Sequence, residues 1–231
     1  MKLLILVLGA NDPISTNLIE NGIKPTWGKD FSENIRIMYY YGGKTKNEIV
    51  GNDIFLTCDD SYGKVMTTKT YEAFQMVYDN IDFDIVYRTN ISSYIKTHQL
   101  YSFLSKYNGG KDIFGSALPG DLNVPWIELT GIGMVLSKDV VEKILQNRNI
   151  PNINPIGEDV DIEVILKHIY KNEYNTIFKR LPRFDLLGNS FVEYFLFLHQ
   201  YNHFHFRCKT ISGNRNIDVE KMKQLYKIFN K

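Results

Sequence analysis

The sequence predicts an α/β fold, a single domain whose mixed central sheet carries helices on both faces. Strand-type and helix-type segments alternate in the order β-α-β-β-α-β-α-β-β-α, which favours this architecture. The first strand, Leu3–Leu8, is apolar at every position, as is typical of a central strand covered on both faces. A length of 231 residues suits one sizeable domain better than two.

Two periodicities assign the elements along the chain. Apolar, β-branched runs that end at polar or glycine-rich turns indicate strands, and apolar residues three or four positions apart indicate helices. The predicted strands are Leu3–Leu8, Ile35–Tyr41, 53–57, 83–87, 112–116, 127–136 and a short one at 176–178. The predicted helices are 14–21, 68–80, one through Leu100 and Leu104 capped by Thr97 or Ser93, Lys138–Gln146 capped by Ser137, Glu158–Tyr170 and 218–229. An aromatic segment occupies 191–206.

Composition excludes several classes of protein. The 27 Lys and Arg residues almost balance 26 Asp and Glu residues, which argues against a general nucleic-acid surface. No stretch approaches the ~20 apolar residues of a transmembrane segment. The apolar run at the N-terminus is too short for a convincing signal peptide. Cys58 and Cys208 lie far apart without metal-ligand spacing, which favours buried thiols. We therefore expect a soluble, cytoplasmic protein.

The predicted strand at 83–87 ends abruptly in polar side chains, beginning with Arg88, Thr89 and Asn90 and continuing to Ser92. In open α/β sheets, ligands bind at the carboxyl ends of the strands. The residues therefore form a candidate ligand-binding site. A strand end that caps the next helix explains them about equally well.

Two acidic clusters are further candidates. Asp59 and Asp60 follow the third strand, where a carboxylate can bind a ribose or a base; the alternative is a turn with an N-cap. Glu158, Asp159 and Asp161 enter a predicted helix. Their attraction to the helix dipole explains them without a function. Neighbouring carboxylates also make a general base, because like charges raise one pKa.

Five motifs resemble, in order and approximate spacing, those of the beta-1,3-galactosyltransferase and Fringe-like glycosyltransferases. That family has Arg-x-Thr-Trp-Gly, Asp-x-Tyr-x-Asn-Leu-Thr-Leu-Lys-Thr, Lys-Thr-Asp-Asp-Asp, a glycine-rich strand ending in Leu-Ser-Arg-Asp, and Glu-Asp-Val. The matching segments here are Thr26-Trp27-Gly28, Asp60-Ser61-Tyr62 with Thr67-Thr68-Lys69-Thr70, Tyr87-Arg88-Thr89-Asn90, residues 130–139, and Glu158-Asp159-Val160.

The resemblance implies a GT-A fold and a hexosyl- or pentosyltransferase. It implies an inverting displacement in which Asp159, or as second choice Glu158, deprotonates a glycan acceptor. The donor is expected to be a UDP- or GDP-linked sugar. Residues 1–95 would form the donor half, and 96–231 the acceptor half with a closing C-terminal segment. The assigned donor-binding residues are Ala10, Asn11, Asp60, Arg88, Thr89, Asn90 and Ser92.

One departure from the family concerns the metal. The family places its aspartate triplet where this chain has Asn90-Ile91-Ser92, and neutral oxygens bind Mn²⁺ or Mg²⁺ poorly without a carboxylate. Three options follow. The transfer is metal-independent and uses Arg88 or a C-terminal cation; a metal binds weakly through Asp59 or Asp60; or catalysis has been lost.

The C-terminal segment supplies the candidate cations. Alternation along a strand would put His203, His205, Arg207 and Lys209 on one face, joined by Arg215 from the next loop. We assign Arg207, Lys209 and Arg215 to the diphosphate. The alternative is an edge strand with a solvated basic face, and a metal site on the two histidines lacks a third ligand.

For the acceptor, we assign Trp126, Glu128 and Gly131, because aromatic faces stack on sugars and carboxylates accept hydrogen bonds from hydroxyls. Core packing is the alternative for Trp126. A catalytically silent module that binds a sugar nucleotide or a glycan is the alternative function. A sugar nucleotidyltransferase is disfavoured, because no glycine-rich basic loop follows the first strand.

Overall fold

A computed structural model describes residues 1–61, 65–107, 111–119, 129–150, 157–188 and 203–230. Its strands are β1 Leu3–Leu8, β2 Ile35–Tyr41, β3 Glu48–Val50, β4 Asp53–Phe55, β5 Ile85–Asn90, β6 Ser93–Ile95, β7 Phe114–Pro119, β8 Gly133–Ser137, β9 Phe178–Asp185 and β10 His205–Arg207. Its α-helices are α1 Pro13–Asn17, α2 Val65–Asn80, α3 Thr97–Leu104, α4 Lys138–Gln146, α5 Glu158–Tyr170, α6 Tyr174–Ile177 and α7 Arg215–Phe229. A π-helix, Leu18–Ile23, continues α1.

The ten strands form one mixed sheet in the order β3-β4-β2-β1-β5-β8-β7-β9-β10-β6. β6 follows β5 directly in the chain, yet it lies at the far end of this order. The sheet from β5 to β6 therefore curls back on itself. The Thr89 hydroxyl donates to Ser93 Oγ at 2.7 Å across the closure, and Tyr87 and His205 hydrogen-bond inside the curl at 2.5 Å.

Strand directions bring one set of loops to a single edge of the sheet. β1, β2, β4 and β5 run parallel, and β7, β9 and β10 point the same way because β8 is antiparallel to both β5 and β7. The carboxyl ends of all these strands therefore share an edge with the start of β8. This is the edge at which ligands bind in open α/β sheets.

Helices cover both faces of the sheet, as the consecutive apolar residues of β1 predict. Leu3, Ile5 and Val7 pack in a core with the π-helix, α3 and α7. Leu4 and Leu6 pack in a second core with α2, α4 and α5. The α/β class with helices on both faces is confirmed. None of the described helices has the length and apolar character needed to cross a bilayer.

Several predicted bounds are confirmed, and others are wrong. Of the predicted strand at 127–136, the described residues form a strand only from Gly133 onward, in β8. Lys138–Gln146 and Glu158–Tyr170 form with the predicted ends. The predicted strand at 176–178 is instead the end of α6 followed by the eight-residue β9. Pro182 disfavours a strand, because it lacks an N–H. It is accommodated in β9 because it pairs only with β7 there, and β10 pairing begins one residue later, at Arg183.

Candidate active site

A cleft of about 1460 Å³ opens at the shared edge of the sheet. The loops after β1, β5 and β10 line it, together with the loop before β8 and the first turn of α5. Seven Lys and Arg side chains but only four Asp and Glu side chains face it among the described residues. The cleft therefore favours an anionic ligand.

Asp60 ties three loops together at the β1 end of the cleft. One carboxylate oxygen accepts the Asn11 N–H, and the other accepts the Gly42 N–H at 2.8 Å and Lys69 Nζ at 2.7 Å. Lys69 is buried and also donates to the Gly9 carbonyl at 3.0 Å. Ala10 and Asn11, predicted to line the nucleotide, do line this part of the cleft.

Arg88 lies at the end of β5 but turns into the protein, where it is 1% exposed. Nε donates to the Tyr40 hydroxyl at 3.0 Å, Nη1 to the Gly131 carbonyl and Nη2 to Glu158. Burial is the largest influence and lowers the Arg88 pKa, but Glu158, Tyr40 and Asp159 together raise it by more, so the net shift is upward. Arg88 therefore links β5 to the loop before β8 and to α5, with its charge already countered.

Glu158 completes this buried ion pair. Its second oxygen accepts the Thr70 hydroxyl at 2.6 Å, so both oxygens have partners inside the protein. Burial raises the pKa of the Glu158 carboxyl, and Arg88 offsets only part of that shift. The side chain is 3% exposed.

Asp159 is the carboxylate of the α5 first turn with access to the cleft. It is half-buried, and its Oδ2 accepts the Gly131 N–H at 3.0 Å. Gly131, predicted to contact the acceptor, also lines the cleft. An added Cβ at Gly131 would lie 3.3 Å from Arg88 Nη1, so the small residue lets the loop pass closely between Arg88 and Asp159.

The other predicted residues of the β5 end have different surroundings. Thr89 is fully buried, and its hydroxyl bonds to Ser93 and the Ile132 carbonyl rather than lining the cleft. Asn90 lines the cleft, but its Oδ1 accepts the Ser92 N–H at 3.0 Å. Ser92 Oγ accepts a hydrogen bond from Arg215 Nη2 at 2.9 Å.

Arg207, Lys209 and Arg215 all line the same cleft, although they follow the donor strands by more than a hundred residues. His205, predicted to share a strand face with them, lies two residues before Arg207 on β10 but is fully buried between Tyr87 Oη and Ser93 Oγ and does not line the cleft. Burial, with Arg183 and Arg207 nearby, holds the His205 pKa well below its usual value. His203 packs against the Phe184 ring at 5.8 Å.

Two arginines on β9 also line the cleft, and the sequence analysis missed both: Arg180 and Arg183. Arg183 forms a two-pronged pair with Asp185 at 2.7 and 3.1 Å. The signal that could have found them is the cationic run around Pro182, Lys179-Arg180-Leu181-Pro182-Arg183. Trp126 and Glu128, the other predicted acceptor residues, lie outside the described residues.

The donor atoms of the cleft do not suit a divalent metal. In the described part of the chain, no group of three or more His, Cys, Asp or Glu residues is placed to hold one. At the β5 end the oxygens belong to an amide and a hydroxyl, and both already accept hydrogen bonds. Asp60 is occupied by two N–H groups and Lys69, and Asp59 bonds to Ser61 at the surface.

Comparison with known proteins identifies the fold. No protein-family model and no curated protein matches the sequence. A glycosyltransferase involved in glycosylation of the major capsid of PBCV-1 superposes with a TM-score of 0.53 at 12% identity, over 95% of this chain and 98% of that one.

The galactosyltransferase LgtC, solved with donor and acceptor sugar analogues, superposes with a TM-score of 0.50 at 12% identity, over 97% of this chain and 95% of that one. At such identities the likeness concerns the fold, and the closer resemblance to Fringe-like enzymes stays a prediction. The chain therefore has the GT-A glycosyltransferase fold.

Proposed function

We propose that the protein is a glycosyltransferase that moves a sugar from a nucleoside-diphosphate sugar to a hydroxyl group of a glycan acceptor. One observation carries the proposal: the loops after β1 and β5 and the Asp159 carboxylate line the same cationic cleft. An anionic donor and a general base would thus meet in one space. The GT-A fold of the chain supports the same class of reaction.

The donor would lie along the strand ends. Its nucleoside, from UDP or GDP, would contact Ala10 and Asn11, in a loop fixed by Asp60. The diphosphate would lie near Asn90 and Ser92, and its sugar would point toward Gly131. In this proposal residues 1–95 form the donor half, and residues 96–231 form the acceptor half with a C-terminal segment that closes the cleft.

Asp159 is the better base of the two predicted carboxylates. Glu158 is buried, and Arg88 and Thr70 occupy its oxygens, so an acceptor hydroxyl cannot reach it without breaking the pair. Asp159 lines the cleft, and the Gly131 N–H holds one of its oxygens in place. Thr89 and Arg88 then act by positioning these loops rather than by contacting the donor.

The reaction would be a single inverting displacement. The acceptor oxygen attacks the anomeric carbon while its proton passes to the Asp159 carboxylate. The bond from that carbon to the diphosphate oxygen breaks, and its electron pair leaves with the nucleoside diphosphate. A new glycosidic bond with the opposite configuration results.

The test is release of UDP or GDP from a panel of nucleotide sugars, with water or simple glycans as acceptor. Asp159→Asn should reduce turnover about 100-fold or more while donor affinity stays within about twofold, since general-base catalysis contributes ~10²–10⁴-fold. The control is Asp79→Asn, the same change at an exposed position on α2. An equally active Asp159→Asn variant would refute this base.

The same experiment separates the enzyme from the silent binding module. A module of this fold would bind a nucleotide sugar, raise the melting temperature of the protein and release no nucleoside diphosphate. Slow hydrolysis of one sugar nucleotide by the wild type, lost in Asp159→Asn, would identify the enzyme.

A further inference from the structure

We propose that the diphosphate is bound and released without a divalent metal, and that Arg207, Lys209 and Arg215 supply the positive charge. The inference rests on the proposed function, because it concerns the donor of that reaction. It goes further by assigning the leaving-group chemistry to the stretch from the end of β10 to the start of α7. Three structural observations carry it.

First, a guanidinium lies beside the polar groups at the end of β5. Those groups are the Asn90 amide and the Ser92 hydroxyl, and neither is a carboxylate. Here Arg215 Nη2 donates to Ser92 Oγ at 2.9 Å. An arginine next to Ser92 would disfavour a divalent cation by repulsion, and it offers a phosphate the planar, multidentate donors that suit it.

Second, most other cations of the cleft are already neutralised by a carboxylate of the chain. Arg88 pairs with Glu158, Lys69 with Asp60, and Arg183 with Asp185. These three ion pairs leave little charge for a ligand.

The C-terminal cations differ from them. Lys209 is exposed at the cleft and has no ion pair among the described residues. Arg207 Nη1 is 3.6 Å from Asp185 Oδ2, and Asp185 already pairs with Arg183. Arg215 shares its charge with Asp218 and still lines the cleft. The stretch from Arg207 to Arg215 therefore presents positive charge to the cleft.

Third, α7 fixes the segment that carries these cations. Asp218 accepts the Thr210 N–H at 2.8 Å and pairs with Arg215 at 2.8 Å. The buried Lys221 ammonium donates to the carbonyls of Leu186 and Cys208, which directly follow β9 and β10. Cations held this way need little rearrangement when charge develops, which is the condition for strong electrostatic stabilisation.

The same helix also directs the segment toward the donor loops. Asn17, at the end of α1, donates to Asn216 at 3.0 Å, and Gly22 of the π-helix packs against Met222. The start of α7 therefore lies beside the helix that follows β1. When the bond to the anomeric carbon breaks, the diphosphate gains negative charge close to Arg215 and Lys209.

The experiment is calorimetric titration of UDP and of GDP into the protein, once in EDTA and once in Mn²⁺. We expect one nucleoside diphosphate to bind with affinities in the two buffers that agree within about twofold. Lys209→Gln should weaken binding in EDTA about tenfold, the scale of one lost charge-assisted contact. Lys227→Gln, the same change at an exposed site near the other end of α7, should leave it unchanged.

Arg215 provides the second test. Arg215→Gln should weaken binding more than Lys209→Gln does, and Arg215→Lys should recover part of the loss. The control is Arg148→Gln at the exposed surface. Because Arg215 also pairs with the buried Asp218, its variants are checked for an unchanged far-UV circular dichroism spectrum. If they misfold, the Lys209→Gln result alone tests whether these cations bind the diphosphate.

The outcomes separate the two proposals. Binding that requires Mn²⁺ would overturn the metal-free inference and leave the glycosyltransferase standing. Binding in EDTA that Lys209→Gln and Arg215→Gln both leave unchanged would overturn the assignment of the cations. No binding of either nucleoside diphosphate in either buffer would overturn the proposed function and this inference with it.

Discussion

The two ends of the cleft use positive charge in different ways. At the β1 and β5 end, Lys69 and Arg88 are buried and each is bound to a carboxylate of the chain. At the β10 and α7 end, Lys209 is exposed and Arg207 only shares a carboxylate that already has a partner. The first set holds loops together, whereas the second has charge to offer a ligand.

This difference shows that the position of a cation at a strand end does not by itself make it a ligand-binding residue. What decides is whether its counter-charge lies within the protein. Removing a buried partner leaves an uncompensated charge and costs stability. Removing an exposed cation costs little stability and should affect only binding. The two ends can therefore be told apart by measuring stability and binding on the same variants.

The largest effect is expected at the Arg88–Glu158 pair. Glu158→Gln should lower the free energy of unfolding by about 3–5 kcal/mol, because it leaves the Arg88 charge buried without a partner. Urea denaturation measures the loss. Glu220→Gln, which breaks an exposed pair with Lys223 on α7, should cost less than about 1 kcal/mol. Equal losses in the two variants would show that the buried pair is not a scaffold.

A smaller loss is expected at Asp60. Asp60→Asn removes the charge that Lys69 faces and replaces an oxygen acceptor with a donor, which should cost about 1–3 kcal/mol. The neighbouring exposed Asp59→Asn is the control and should change the urea midpoint less. If the two variants have the same midpoint, Asp60 is not the tie between the loops after β1, β2 and β4.

The next effect depends on pH. Burial, with Arg183 and Arg207 nearby, lowers the pKa of His205 in the folded protein far below its usual value of about 6.5. Below that pH the unfolded chain binds a proton that the folded protein excludes. The free energy of unfolding therefore decreases as the pH is lowered, with a slope of up to ~1.4 kcal/mol per pH unit.

Urea titrations between pH 7 and pH 5.5 measure this slope. His205→Gln should flatten it, and His98→Gln, at an exposed position on α3, should keep the wild-type slope. A wild-type slope in both variants would contradict the claim that His205 stays unprotonated in the folded protein.

The smallest stability effect is expected at Lys209. Lys209→Gln should change the unfolding free energy by less than about 0.5 kcal/mol, because the side chain is exposed and away from any described ion pair. Thermal melts without ligand measure this. A shift as large as that of Asp60→Asn would place Lys209 among the scaffold residues.

The sequence predicted the fold wherever a pattern was long and local. The consecutive apolar residues of Leu3–Leu8 indicated a central strand covered on both faces. The helical spacing of apolar residues along the thirteen residues of α5 indicated both of its ends. Short elements such as β3 and β6 were missed, because three residues carry no readable period. The turn of α6 was taken for a strand for the same reason.

The candidate site was harder to predict, because its pairings span the whole chain. Arg88 and Glu158 are 70 residues apart, and nothing in the sequence shows that each cancels the charge of the other. Arg215 and Ser92 are 123 residues apart, and the curl of the sheet that joins them is a tertiary feature. The residue types therefore indicated an anionic ligand. Which cations are paired with a carboxylate of the chain, and which are available to that ligand, became clear only from the fold.

The most direct test of the account is a crystal structure of the protein with UDP or GDP, grown in EDTA. The account predicts phosphate oxygens within hydrogen-bond distance, about 3 Å, of Lys209 Nζ and the Arg215 guanidinium, with Arg88 still bound to Glu158. A diphosphate that contacts Arg88 in place of Glu158, while Lys209 and Arg215 face solvent, would contradict it.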